Sequence, residues 1–265
     1  MVGRGIRLYV ATSFTVGAVA LAALSGILAG TTQGDARIAW IAVNLLSVAA
    51  AAAVQSIEQR RRERERQAAE IVAVDMRVAM NDALDPIVRQ IGRIALASGR
   101  KRDELREQTI PMVLYSASLL IGPDRVRACW FRLHEGRGPR RLRPELSEGR
   151  ADALRTEFVQ GTPSGDSVLE LLSRNIHRFC PDVMASPPPG WDPSHPHEYR
   201  TFISVPVVAG DTAFGLLTVD SALPGDLTDG DIPLLRLLAG LLADAMAYGT
   251  GGGILGMTSK GVAHE

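Results

Sequence analysis

Lysine, cysteine and histidine are scarce in this 265-residue chain. Two cysteines, Cys129 and Cys180, cannot build the disulfide framework of a small secreted fold, so a reducing compartment is expected for the part that carries them. Only Lys101 and Lys260 are lysines among 29 basic residues; with the heavy alanine and glycine load, that usage points to a high-GC bacterial coding sequence. The 29 basic residues are matched by 29 acidic ones, so no whole-protein field draws the chain to nucleic acid. No P-loop, GxSxG, HExxH, kinase or cyclase signature is present, and no motif argues for an enzyme. Charge is also missing locally, because residues 1–54 hold only Arg4, Arg7, Asp35 and Arg37.

What fills the uncharged region is apolar. Leu8–Ala29 is almost wholly hydrophobic, and Ile38–Ile57 is a run of twenty uncharged residues. A helix needs about 20 such residues to cross a hydrocarbon core ~30 Å thick, and both runs qualify. The alternative, a buried helical hairpin of a soluble domain, rarely lacks a charged face over such lengths. The connection Gly30–Arg37 fits only a tight turn. A cleaved signal peptide has an apolar stretch of about 7–15 residues, shorter than the first run here, so a retained span is the expectation. Arg4 and Arg7 precede the first span, five arginines between Arg60 and Arg66 follow the second, and the turn has only Arg37. The positive-inside rule then predicts a two-pass protein of the bacterial inner membrane with both termini cytoplasmic. Ala18, Ala22, Gly26 and Gly30 form a small-residue stripe that suits close helix packing, although alanine-rich spans produce such stripes by chance.

Residues 58–102 read as a cytoplasmic helical connector. Glu58–Arg66 holds five Arg and three Glu in nine positions. That is either a lipid-binding basic segment or, with interleaved Glu, a solvated helix paired along its own surface. The second reading fits the alternation better. Ile71, Val74 and Val78 form a seam that Asn81 and Asp85 interrupt, and Asp85-Pro86 is expected to break or kink the helix. Ile87, Ile91, Ile94 and Ala95 resume an apolar face to about Ser98, and Gly99 ends it. One to two heptads are too few for a self-sufficient coiled coil, so the seam predicts a homodimer held together with help from the flanking parts.

The remainder predicts one α+β domain. Asp103–Ile121 is helical by pattern, with Pro111 as a kink, and Val126–His134 is a strand rich in aromatic and β-branched residues. Arg140–Pro144 is a candidate return strand. Asp166–Phe179 is an amphipathic helix with Asp166 or Ser164 placed to cap it. Six prolines between Cys180 and Pro196 exclude regular structure there. Thr201–Val208 and Ala213–Asp220 form a hairpin about Ala209-Gly210-Asp211. Asp226–Asp231 then caps a last helix, Ile232–Ala247, whose Leu234, Leu237, Leu238, Leu241 and Leu242 offer a second dimer face. Residues 249–265 read as a flexible Gly-rich tail.

The run from Tyr199 to Ala247 resembles the C-terminal half of a GAF domain, with Pro206, Gly215 and Asp231 at its landmarks. FVQGTPSGDSVLELL (158–172) is similar to the segment leading into the family's middle helix. The resemblance implies a six-stranded antiparallel sheet with helices on one face and a ligand pocket on the other. The expected division is two transmembrane helices in 1–57, the connector in 58–102, a GAF-like domain in 103–248, and the tail.

Candidate chemistry centres on the Pro-rich segment Cys180–Arg200, a lid over such a pocket, where Trp191 and Tyr199 could stack on a flat ligand. Arg200 is the lone arginine between Asp182 and Asp231, either an anion contact or a local neutraliser. Phe131 and Phe158 complete the candidate ligand-binding set. His177 with Cys180, and His195, His197 with Glu198, have metal-ligand chemistry but no partners spaced to close a site, so no metal and no cofactor is assigned. Nine arginines in 125–155 face eight acids in 182–231, as a rim for a phosphate-bearing ligand or as two solvated faces that pair with each other. The expectation is a membrane-anchored, homodimeric sensory module that binds a small molecule or signalling partner, touches no nucleic acid and catalyses nothing itself. The alternative is a ligand-triggered effector whose helices perforate the bilayer.

Overall fold

The structure, a computed structural model, describes residues 33–123, 125–151, 156–191 and 198–249, preceded by 17, 20–21, 23–28 and 30–31. The chain falls into two compact units, Met1–Arg77 and Val78–Glu265.

In the first unit the described residues between 17 and 31 are helical, and Gly34, at φ +71°, precedes helix α1, Asp35–Leu96. Most of the expected first span lies outside the described residues. Polarity is inverted here. Leu24, Ile27, Ile38, Ile41, Leu45 and Leu46 are exposed, whereas Ser25 and Ser47 are buried. Ser47 Oγ donates to Val43 O at 2.8 Å, so its hydroxyl is satisfied within the helix. A Cβ on Gly26 would stand 3.2 Å from Asn44 Nδ2, so the backbone at Gly26 lies against a polar side chain of α1. The helix is long and apolar enough to cross a membrane.

The expected break at Asp85-Pro86 is absent, because α1 continues through Pro86 to Leu96. Pro86 deletes one helical hydrogen bond, but Ala83, Ile87, Gln90 and Ile94 are buried on either side of it, and Gln90 Nε2 donates to Leu105 O at 3.1 Å. Tertiary packing outweighs a local penalty of about 3 kcal/mol. Gly99, at φ +52°, separates α1 from α2, Gly99–Leu120, which likewise runs uninterrupted through Pro111.

The second unit is built on six strands: β1 Arg127–His134, β2 Arg141–Gly149, β3 Phe158–Val159, β4 Arg178–Cys180, β5 Thr201–Ala209 and β6 Thr212–Ser221. They lie in the order β3-β2-β1-β6-β5-β4, and every pair is antiparallel. The return strand is longer than expected. A bulge between Trp130 and Phe131 seats Pro144 within β2, where a regular ladder would ask for its missing N–H.

Alternation divides β1 between two cores. Ala128 and Trp130 join Ile203, Val205, Val207, Leu217 and Val219 against α2 and the last helix α4, Ile232–Ala247. Cys129 and Phe131 join Leu142 and Leu216 against α3, Pro163–Arg174, through Val168, Leu169 and Leu172. Helices therefore cover both faces, not one, and α3 fills the Phe131 end of the face on which a pocket was expected. On α4, Leu238 and Leu242 are fully buried in the first core, which removes them from any dimer face; Leu237 stays 45% exposed.

Helix α3 also differs from its expected bounds of 166–179. Thr162, not Asp166 or Ser164, is the N-cap: its Oγ1 accepts from Gly165 N at 3.1 Å, with Pro163 pre-set for the first turn. The Asp166 carboxylate accepts instead from Gly161 N at 2.8 Å. The helix stops at Asn175, whose φ of +49° is left-handed, and the chain straightens into β4.

Candidate functional site

On the α3 side of the sheet, one rung places Arg127, Asp220, Phe202 and Cys180 beside one another across β1, β6, β5 and β4. Arg127 and Asp220 are directly opposed, with side chains only 8% and 5% exposed. Arg127 Nη2 and Nε donate to Asp220 Oδ2 at 3.0 and 3.1 Å. Arg150, just past the end of β2, donates from Nη2 to Asp220 Oδ1 at 2.8 Å. One carboxylate thus holds two guanidinium groups out of water, an arrangement that is stable only while each charge keeps its partner. The Cys129 thiol donates to Asp220 Oδ2 at 3.7 Å, and burial together with that negative charge pushes its pKa up, so it stays protonated and unreactive.

Three rings, Phe202 of the rung among them, gather here. Tyr199 meets Trp191 edge-on at 5.6 Å between centroids and Phe202 at 6.0 Å. Burial and the Asp220 charge raise the Tyr199 phenol, which therefore stays neutral. On the next rung Ser204 and Thr218 share a hydroxyl hydrogen bond of 3.1 Å. This end of the sheet thus gathers two arginines paired to one aspartate, a bonded pair of hydroxyls and three rings. Gly190 anchors the segment that brings Trp191 in. Its φ is +73°, and a Cβ there would lie 2.5 Å from Ser164 N, so the loop rests on the first turn of α3 at a point only glycine fits.

The candidate residues do not form one group. Trp191 and Tyr199 stand together at the Arg127 rung. Phe131 and Phe158 pair with each other, centroids 5.4 Å apart, in the core under α3. Phe131 lies four residues along β1 from Arg127, about 13 Å at strand spacing. Arg200 does not join the rung; it clamps Asp182 with two hydrogen bonds of 2.9 and 2.8 Å. That clamp holds Asp182 below the usual carboxylate range, and Arg200 acts as a neutraliser. Cys180 donates to Ser186 O at 3.3 Å, and His177 is exposed. His195 and His197 lie outside the described residues, and no His, Cys, Asp and Glu cluster that could hold a metal occurs among the described ones.

Sequence reasoning missed Arg127, Arg150 and Asp220. The contrast between an arginine-rich and an acid-rich segment was visible, and part of it resolves into pairs between the two: Arg127 and Arg150 with Asp220, and Arg125 with Asp226 at 2.7 Å. Which arginine meets which acid depends on strand register, which a single sequence does not print.

The sequence profile of the GAF domain matches residues 106–247, more than half of the chain. The chain belongs to the GAF domain family. The chain is also similar to solved structures. The GAF domain of an Acinetobacter phosphoenolpyruvate-protein phosphotransferase is 17% identical with a TM-score of 0.45, over 64% of this chain and 97% of that one. The corresponding Coxiella burnetii domain is 18% identical, TM-score 0.43, over 64% and 94%. A type II free methionine-R-sulfoxide reductase from Thermoplasma acidophilum is 19% identical, TM-score 0.43, over 55% and 95%. No protein of curated function matches. GAF domains are sensory and ligand-binding modules of signalling proteins, and among the described residues of this one the Arg127 rung and its rings bring polar and aromatic groups together.

Proposed function

We propose that this protein is a membrane-anchored sensory module: a GAF domain on the cytoplasmic side of a bacterial inner membrane, tethered by a two-pass helical hairpin and signalling through a homodimer without catalysis of its own. The observation that carries the reading is helix α1. Its N-terminal residues expose Ile38, Ile41, Leu45 and Leu46 and bury Ser47, a polarity suited to lipid and unsuited to water. Its C-terminal residues Ile87 and Ile94 are buried in the core of the GAF unit, so one element is both anchor and domain component. The arginine count supports the orientation, with five arginines after Ile57 and Arg37 alone in the turn. The proposed ligand face is the end of the sheet at the Arg127–Asp220–Arg150 rung, where the Tyr199 and Trp191 rings suit a flat ligand.

Reporter fusions test the scheme. Alkaline phosphatase joined after Glu265 is expected to be inactive, and a fluorescent protein at the same place to fluoresce. Phosphatase activity at that fusion overturns the orientation and with it the sensory scheme. Tyr199→Ala in the full chain is expected to lower the melting temperature while leaving a cooperative unfolding transition, and to abolish co-purification of a bound small molecule read by mass spectrometry.

A further inference from the structure

Charge compensation along the sheet has one exception. The arginines of β1 and β2 all meet carboxylates: Arg127 meets Asp220, Arg132 meets Glu107 and Glu145, and Arg141 and Arg143 share Glu157. Arg178 of β4 does not. Its Nη2 donates to the Ser167 hydroxyl of α3 at 2.8 Å, and it forms no ion pair among the described residues. The acids of the neighbouring elements are engaged elsewhere. Asp166 accepts from Gly161 N, Glu170 pairs with Arg174 at 2.9 Å, Asp182 is clamped by Arg200, and Asp220 holds two guanidinium groups.

Arg178 belongs to the α3 side of the sheet. It sits opposite Ser204 of β5, Ser204 sits opposite Thr218 of β6, and Phe179, next along β4, packs into the other core. Phe202, where the row of rings from Trp191 ends, is two residues from Ser204 along β5, about 7 Å at strand spacing. Arg178 is therefore rooted one strand step from the rings, on the same face. Its Nε and Nη1 donate to nothing among the described residues, yet neither is sealed from solvent. A half-buried guanidinium with a neutral partner alone gives up hydration without gaining a counter-charge. An incoming carboxylate or phosphate supplies that charge through charge-assisted hydrogen bonds.

We propose that Arg178 and the Ser167 hydroxyl hold the anionic group of the ligand, a flat molecule that lays its plane against Tyr199 and Phe202 and its carboxylate or phosphate on Arg178. The assignment rests on reading this end of the sheet as the ligand face. Arg127 and Arg150 are committed to Asp220, so the anion goes to the arginine that has no acid of its own. The Ser167 hydroxyl accepts from Arg178 and keeps its own proton to donate to the same anion.

Ligand-observed NMR titrations of the full chain in detergent test the site with three probes that share a phenyl ring: benzoate, phenyl phosphate and the neutral benzamide. At least one anion is expected to bind about ten-fold tighter than benzamide, and the tighter of the two tells carboxylate from phosphate. Arg178→Gln is expected to remove that preference and leave benzamide binding unchanged. Arg178→Lys, which keeps the charge without the planar fork, is expected to retain part of it. Ser167→Ala is expected to weaken the anion about two-fold. Arg137→Gln, in the exposed β1–β2 turn, is expected to change nothing. Equal binding of all three probes, a preference that survives Arg178→Gln, or one that Arg137→Gln removes as fully, overturns the Arg178 site and leaves the ligand face standing. Failure of all three probes to bind overturns the ligand face and the anion site together. Thermal melts of the same variants check their folding. If Arg178→Gln does not unfold cooperatively, Arg178→Lys and Ser167→Ala decide, and no loss of anion binding in either overturns the site.

Discussion

Asp220 is the residue on which the sheet's polar face depends. Its carboxylate is shared by Arg127 and Arg150, all three at least four-fifths buried. Asp220→Ala is expected to destabilise by about 3–5 kcal/mol, since breaking a buried pair costs more than the pair contributes. For a domain of this size that is on the order of a 10 °C fall in melting temperature. Arg150→Ala is expected to cost less than half as much, because Arg127 still satisfies the carboxylate; equal losses in thermal melts of the full chain in detergent would contradict a shared carboxylate. Asp226 gives a pH dependence. Hydrogen bonds from Arg125, at 2.7 and 2.9 Å, and from Ser221, at 2.5 Å, hold its pKa at about 2. The unfolded value is about 3.9. A depressed carboxylate stabilises above its unfolded pKa and loses that contribution as pH falls through the folded one. Asp226→Asn is therefore expected to melt lower than the parent at pH 6, with the gap closing between pH 4 and 2. Few of these pairings were legible beforehand. Arg127 reads as an ordinary strand residue, and its partner lies 93 positions away.

Among the elements, two glycines separate what a backbone tolerates from what packing demands. Gly240 faces open space in α4, and a Cβ there meets nothing. Gly240→Ala is expected to stabilise by about 1 kcal/mol through helix propensity alone, a rise of ~2–4 °C in the melt. Gly215 in β6 is the opposite case: an added Cβ would overlap Phe131 O and stand 2.5 Å from Trp130 Cη2. Gly215→Ala is expected to cost about 1–3 kcal/mol, read in the same melts. The hairpin β5–β6 and helix α4 were legible to within a residue or two, because their periodicity and turn residues agree with their packing. Pro86 misled because the burial of Ile87 and Ile94 that carries the helix through it is a long-range effect. The C-terminal bound of α3 misled for a related reason: Ile176–Phe179 continues a helical pattern, yet pairing of Arg178–Cys180 with β5 draws it into the sheet.

At the scale of the molecule, the N-terminal unit turns apolar side chains outward and the GAF unit turns them inward. The full chain is expected to stay with membranes through alkaline carbonate, whereas a chain lacking residues 1–57 is expected in the supernatant; release of the full chain by carbonate would contradict a spanning helix. Hydrophobic run length, arginine placement, strand alternation and the Pro206, Gly215 and Asp231 landmarks are local properties. They determined from the sequence alone that a membrane-length apolar segment precedes an α+β domain of the GAF kind. The tertiary structure alone decided that α3 closes the Phe131 end of the sheet, that Leu238 and Leu242 belong to the core, and that Arg127 and Arg150 converge on Asp220. Each of these follows from strand order and register, which bring together residues up to 93 positions apart, and burial makes the charge pairings obligatory once that register forms.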